Sequence, residues 1–225
     1  MPSNGPLIRH RQHTSPRIIG ILTTMRWPLH DQLAIAHALF ACIAVLFTMP
    51  IALLAARYLR HGPRWFRIHV IFNGITTFLV ILVFGLGMGA VSTQNLGTQF
   101  NGPYSDLHHK LGLTIFILVL AQTILGIFSH YYPGGHISRR VHVAFGTIVA
   151  AGMIWETWEG LHNEWAEMSV SMTVTPQGVQ IVFWAVFMVL AIAYGAAVGQ
   201  VALRKVAVQT YEDVKSDEKL PISVP

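Results

Sequence analysis

Long apolar runs recur along the chain and predict membrane-spanning helices. Four of them carry no charge in their interiors, and each is long enough to cross roughly 30 Å of hydrocarbon. They extend over residues 33–58, 70–91, 111–128 and 179–203. A fifth run, residues 141–161, is weaker because Glu156 and Glu159 lie in its second half. We include it because the connections on either side of it would otherwise lie on the wrong faces of the membrane.

These runs predict an all-α, polytopic membrane protein with five transmembrane helices. Only 11% of the 225 residues are charged and 53% are hydrophobic, as expected for a chain in contact with membrane lipid. We expect a transmembrane domain over residues 33–204, a non-cytoplasmic N-terminal tail, 1–32, and a disordered cytoplasmic tail, 205–225. The net charge of +5 does not indicate nucleic-acid binding, because the basic residues flank the predicted spans.

The basic residues also predict the orientation of the chain. Eight of them lie at the first and third connections and after the fifth span: Arg57, Arg60, Arg64, Arg67, Arg139, Arg140, Arg204 and Lys205. Close to the spans, the opposite face has Arg17, Arg26 and Lys110. By the positive-inside rule, the odd-numbered connections and the C-terminus are cytoplasmic. The N-terminus is therefore expected outside the cell or in a lumen.

Four histidines lie near the N-terminal ends of the first four predicted spans: His37, His69, His108 and His142. Because successive spans run in opposite directions, the four separate into two pairs at opposite faces. His37 and His108 form the His37 pair, on the non-cytoplasmic side. His69 and His142 form the His69 pair, on the cytoplasmic side. Imidazoles from facing helices suit the two axial positions of a haem iron, so each pair is a candidate haem site.

Small residues repeat at fixed distances from these histidines. Glycines follow two of them at plus four and plus eighteen: Gly112 and Gly126 after His108, and Gly146 and Gly160 after His142. The first two spans echo this spacing with Ala41 and Ala55 after His37, and with Asn73 and Gly87 after His69. Plus eighteen returns to the same helix face about 27 Å further along. We expect each helix to bind one planar group near its start and to leave room for a second near its end.

Two polar residues lie at plus fourteen, close to the same faces. Gln122 follows His108 at this spacing and Glu156 follows His142, and the depth of each places it beside the opposite pair. We expect Gln122 to form a hydrogen bond between helices or at a haem edge. Glu156 is open to two interpretations, an interfacial carboxylate or a proton carrier. The glycine spacing favours His108 as the ligand, with the neighbouring His109 as the reserve candidate.

The cysteine content restricts how a haem is held. Cys42 is the sole cysteine, which excludes an intramolecular disulfide, a cysteine-ligated iron–sulfur cluster and covalent attachment through a Cys-x-x-Cys-His motif. The predicted cofactors are thus two non-covalent haems. Arg57 and Arg140 are candidates for neutralising haem propionates or attracting an anionic donor, although membrane topology alone accounts for their positions.

Two other functions fit the same histidines. A transition-metal transporter would bind and move a metal within the bundle, but transporters often carry charged residues at the membrane midplane, and spans one, two, three and five carry none there. A non-redox membrane anchor or assembly subunit would use the histidines only for packing. Four histidines at matching positions favour paired ligation over both alternatives.

At these residues the sequence resembles the cytochrome b561 family, in particular the domain that in many proteins follows an extracellular DOMON domain. The resemblance extends from about His37 to Tyr194. Its most specific segments are HHKLGLTIFILVLAQTILGIFSH, with a His-x-x-x-Gly start and a downstream Gln and Gly, and RVHVAFGTIVAAGMIWETWEG. The segments AHALFACIAVLFTMPIALLAARYLR and WFRIHVIFNGITTFLVILVFGLG are similar to the first two helices of the family.

The resemblance implies a four-helix core that holds two b-type haems, with a fifth helix alongside and with the His37 and His69 pairs as iron ligands. It also implies transfer of single electrons from a cytoplasmic donor such as ascorbate to a non-cytoplasmic acceptor such as ferric iron or monodehydroascorbate. Ascorbate-dependent members have six spans where five are predicted here, which leaves donor and acceptor open. A homodimer and a separate extracellular redox partner are further expectations.

Overall fold

The computed structural model describes residues 27–60, 62–95, 99–100, 105–132, 136–164 and 177–217. The first span consists of α1, Leu29–Ile43, a π-helical turn, Ala44–Thr48, and α2, Met49–Tyr58. The next two spans are α3, Trp65–Ser92, and α4, Leu107–Tyr131. The fourth is α5, His136–Glu159, which continues in a second π-helical turn, Gly160–Glu164. The fifth is α6, Gln177–Asp217.

Five helical segments are long and apolar enough to cross a membrane: Leu29–Tyr58, Trp65–Ser92, Leu107–Tyr131, Ile137–Asn163 and Gln177–Glu212. This confirms the prediction of an all-α, polytopic membrane protein with five transmembrane helices, including the weak fourth span that contains Glu156. Large side chains such as Phe78 and Ile124 are exposed on the outside of the bundle, where lipid would cover them.

The helices extend further than the sequence predicts at both ends of the chain. Helix α1 begins at Leu29, inside the predicted N-terminal tail, and α6 is helical through residues 205–217, where we expected a disordered tail. The 41 residues of α6 correspond to roughly 60 Å at 1.5 Å per residue, about twice the hydrocarbon thickness. The remaining parts of both predicted tails, 1–26 and 218–225, lie outside the described residues.

The first four spans surround a common interior. Helices α1 and α2 pack on α3, α3 packs on α4, α4 packs on α5, and α5 returns to α1 and the first π-helical turn. Helix α6 packs mainly against α2. The buried interior includes Val45, Ala52, Val119, Val149 and Met153. This arrangement agrees with a four-helix core and a fifth helix at its side.

Hydroxyl groups link three helices in the interior of the bundle. The π-helical turn comes just before Pro50, whose ring removes one backbone donor from the helix. The hydroxyl oxygen of Thr48, the last residue of this turn, is 2.7 Å from that of Thr76 on α3. The hydroxyl oxygens of Thr77 and Thr123 are 2.9 Å apart. Such bonds stabilise helix contacts in lipid, where no water competes for them. They link the π-helical turn of the first span to α3, and α3 to α4.

Candidate functional site

The helices bring the four histidines together as two pairs with edge-to-face rings. The ring centroids of His37 and His108 are 5.9 Å apart and their planes cross at 79°. The rings of His69 and His142 have centroids 6.4 Å apart and planes at 82°. Each pair joins spans that run in the same direction, as the alternation of the helices requires. The two pairs therefore lie toward opposite ends of the bundle.

The spacing within each pair suits one metal ion between the two rings. A metal–imidazole bond is about 2 Å long and the ring centre lies about 1.1 Å behind its nitrogen, so two imidazoles that bind one metal ion from opposite sides would have ring centres roughly 6.2 Å apart. The observed 5.9 Å and 6.4 Å are close to this value. Direct stacking of two imidazoles would give parallel planes at a shorter distance, whereas both pairs are nearly perpendicular.

Backbone carbonyls orient one histidine of each pair. Nδ1 of His37 is 2.8 Å from the carbonyl oxygen of Val83, and Nδ1 of His69 is 3.0 Å from that of Ala52. Because a carbonyl oxygen only accepts hydrogen bonds, Nδ1 must carry the proton, which leaves the Nε2 lone pair available to a metal. The Asn73 amide nitrogen also lies beside the His69 ring, 3.2 Å from Nδ1 and 3.3 Å from Nε2.

The other two histidines have side-chain partners at plus fourteen on the neighbouring helix. Oε1 of Glu156 is 2.9 Å from Nδ1 of His108. The amide nitrogen of Gln122 is 3.0 Å from Nδ1 of His142 and donates to its carbonyl oxygen at 2.9 Å. Each polar residue thus reaches the opposite pair, at the depth that the sequence predicts. Ligation through Nε2 of His142 would require a proton on Nδ1 and therefore a rotated Gln122 amide, with its oxygen toward the ring.

Glycines make these contacts possible. A Cβ atom at Gly126 would lie 3.0 Å from Cε1 of His142, and one at Gly160 would lie 2.9 Å from Cε1 of His108. At plus four, a Cβ at Gly112 would be 2.8 Å from Oε1 of Glu156. At the equivalent Gly146 it would be 2.5 Å from the Gln122 amide nitrogen. The glycines are therefore in contact with the histidine rings and their polar partners, a more specific role than the general space for a planar group that we expected.

An apolar cavity of about 170 Å³ lies beside the His37 pair. Both histidines line it, together with Gly112, and the stacked rings of Phe84 and Phe116 form part of its apolar wall. The ring centroids of these phenylalanines are 4.2 Å apart. A flat apolar group with an iron at its centre would thus find two axial nitrogens and an apolar wall. The residues present fit a haem at this pair.

The cavity beside the His37 pair also has polar walls that the sequence pattern did not reveal. His30 and Asp31 are buried there, with 7% and 2% of their surfaces exposed, although the sequence placed them in a tail. Nδ1 of His30 is 3.0 Å from the carbonyl oxygen of Ala90. A signal for their burial was present in the sequence, because both residues lie within three positions of the first apolar run, which begins at residue 33. His109, the reserve candidate ligand, lies instead with Nδ1 3.1 Å from Asp106.

The two arginines predicted to neutralise haem propionates are Arg57 and Arg140. Arg57 is half-buried, its guanidinium is 5.7 Å from the centroid of the Tyr194 ring, and its Nη2 donates to that hydroxyl. This contact between Arg57 and Tyr194 links α2 to α6. Arg140 is exposed and precedes His142 by two residues on α5. At the same end of the bundle, Trp65 lies beside His69 at a centroid distance of 6.3 Å.

A protein-only metal centre is not formed by these side chains. Among the described residues, no group of three or more histidine, cysteine, aspartate or glutamate side chains could hold a metal ion. Two facing imidazoles therefore need further ligands from elsewhere, such as the four nitrogens of a porphyrin.

Taken together, the fold and the site define a multi-pass membrane protein with an imidazole pair toward each end of its helical core. A search of curated proteins finds the transmembrane ascorbate-dependent reductase CYB561 of Sus scrofa, 30% identical over 118 residues. The match covers 50% of this chain and 46% of that protein, about half the length of each. The similarity is therefore to part of a cytochrome b561, and it is distant. No family model matches, and no solved structure gives a significant match.

Proposed function

We propose that the chain carries single electrons across a membrane through two non-covalent b-type haems, one held by each histidine pair. The observation that supports this most strongly is the geometry of the pairs, nearly perpendicular rings at 5.9 Å and 6.4 Å. The similarity to a cytochrome b561 also supports b-type haem as the cofactor. Haem would supply a centre that gains and loses one electron within the bilayer.

The residues of the chain would favour electron transfer over oxygen chemistry. If both histidines of a pair held the haem iron, no position on it would be left for oxygen. His108 near the start of α4 and Gly126, which contacts His142, are eighteen residues apart, or about 27 Å along the helix axis. The distance between the two pairs therefore covers most of the roughly 30 Å of hydrocarbon. An electron would cross without movement of any substrate through the bundle.

The direction of transfer follows from the orientation of the chain. With the odd-numbered connections in the cytoplasm, the His69 pair lies on the cytoplasmic side together with Arg57, Arg139 and Arg140. This excess of positive charge would attract an anionic donor. Ascorbate is such an anion, and the relative from Sus scrofa is named an ascorbate-dependent reductase. The acceptor on the other side would be a one-electron oxidant such as ferric iron or monodehydroascorbate.

Proteoliposomes test this proposal. Purified protein is reconstituted into vesicles that contain a ferric chelate, ascorbate is added outside, and ferrous iron inside is followed by its colour with a trapped chelator. We expect ferrous iron to form in these vesicles and not in protein-free vesicles or in those with His69→Ala. Absence of transmembrane reduction by protein that has its full haem content would contradict the proposed function.

A further inference from the structure

Helices α4 and α5 pack against each other and contribute equivalent side chains to the two histidine pairs. Each contributes a histidine to one pair and, fourteen residues later, a polar residue to the histidine of the other helix. The backbone arrangement is the same at both places, since a glycine faces each polar side chain. The chemistry differs, because one polar residue is Glu156 and the other is Gln122.

Glu156 is held against His108 in a partly buried position. Its Oε1 is 2.9 Å from Nδ1, and the two side chains are only 15% and 13% exposed. A carboxylate offers only acceptor oxygens, so the contact favours a proton on Nδ1 and leaves the Nε2 lone pair available to a metal. Within the described residues, His108 is the one ion-pair contact found for Glu156.

Gln122 cannot have the same effect on His142. Its amide nitrogen is tied to the carbonyl oxygen of His142 at 2.9 Å and lies 3.0 Å from Nδ1. An amide is a neutral dipole in either orientation, so it adds no net charge beside the ring. The His37 pair therefore has a carboxyl group on one of its histidines where the His69 pair has a carboxamide.

We propose that Glu156 is a positioning residue that lowers the reduction potential of the haem at the His37 pair relative to the haem at the His69 pair. This inference rests on the proposed function. A carboxylate that accepts the Nδ1 proton makes the imidazole a stronger donor to iron. Ferric haem carries one more positive charge than ferrous haem, so a carboxylate nearby stabilises the ferric state. Partial reduction of the protein would then fill the haem at the His69 pair first.

Exchange of the two side chains provides the test. The potentials of both haems are measured by optical redox titration of the full-length haem-loaded protein, with each haem assigned from a variant that lacks one histidine pair. We expect Glu156→Gln to shift only the haem at the His37 pair, about tenfold toward the ferrous state, which is 59 mV for one electron. Gln122→Glu is expected to shift the other haem in the opposite direction, and the double exchange to reverse the order.

Two variants separate this effect from a general loss of charge or of packing. Glu159→Gln removes a carboxyl group that is 8% exposed and lies three residues further along, and it is expected to move the same haem less than Glu156→Gln. Glu156→Asp keeps the carboxylate and is expected to return part of the shift. Unchanged potentials in both Glu156→Gln and Gln122→Glu, with two haems bound, would overturn this inference alone. A wild-type protein that binds no haem would overturn the proposed function as well.

Discussion

A methyl group added at one glycine should loosen a single haem. Gly160 faces the ring of His108, and a Cβ atom there would lie 2.9 Å from Cε1. Ordinary van der Waals contact begins at 3.4 Å, so the ring must withdraw by about 0.5 Å or more. An imidazole bound to iron has little freedom to do so, because Nε2 is fixed by the metal and Nδ1 by Glu156. Gly160→Ala should therefore act on the haem at the His37 pair.

The expected size follows from overpacking in a close-packed interior, which costs about 1 to 3 kcal/mol. If this cost falls on the ligated state, the haem at the His37 pair binds about 5- to 150-fold more weakly. Replacing glycine by alanine also favours the helix by up to about 1 kcal/mol. Gly85→Ala serves as the control for this term, because a Cβ atom at Gly85 would have no neighbour within 4 Å.

Haem transfer to excess apomyoglobin measures the effect. The haem of each variant is followed by absorbance as it leaves the detergent-solubilised protein. We expect Gly160→Ala to release the haem of the His37 pair faster, and Gly126→Ala, which faces His142 at 3.0 Å, to release the other. Release from both variants at the rate of Gly85→Ala would refute the reasoning, since the methyl groups would then not be in contact with the ligands.

Three further predictions concern ligation, stability and donor binding. Alanine at either histidine of one pair should remove the haem of that pair only, as seen in spectral titration; equal loss of both haems from all four variants would argue against separate pairs. Thr76→Val should lower the free energy of unfolding by about 0.6 to 1.7 kcal/mol, measured by thermal denaturation, because the bond to Thr48 is lost. The exposed Thr147 bonds within its own helix and should tolerate the same change. Arg57→Ala should slow reduction by ascorbate more at low than at high ionic strength, because salt screens the attraction; a rate that does not depend on the variant would speak against a role in donor binding.

The fold could be predicted from the sequence because lipid strongly restricts which structures can span a membrane. A chain within the bilayer must satisfy its own backbone hydrogen bonds, so every span is a long apolar helix. This holds even for the fourth span, where Glu156 and Glu159 weaken the signal. Hydropathy does not determine where a helix ends in water, which is why the sequence did not predict the extension of α6 through residues 205–217 or the start of α1 at Leu29.

The candidate site could be predicted from the sequence only in part. Alternation of the spans is sufficient to group His37 with His108 and His69 with His142, and the periodicity of a helix places Gln122 and Glu156 near the opposite pairs. The partners of Nδ1 on His37 and His69 are backbone carbonyls, which no pattern of side chains in the sequence predicts. They depend on how far each helix is rotated about its axis, which is set by packing in the assembled bundle. The same is true of the burial of His30 and Asp31.

Haem quantification combined with a reduced-minus-oxidised spectrum of the purified protein tests the central claim most directly. Paired imidazoles at opposite ends of one bundle predict two non-covalent haems per chain, with the spectrum of six-coordinate b-type haem and no change on addition of a ligand such as carbon monoxide. A protein without haem, or with a single haem that survives the loss of either pair, would contradict the account.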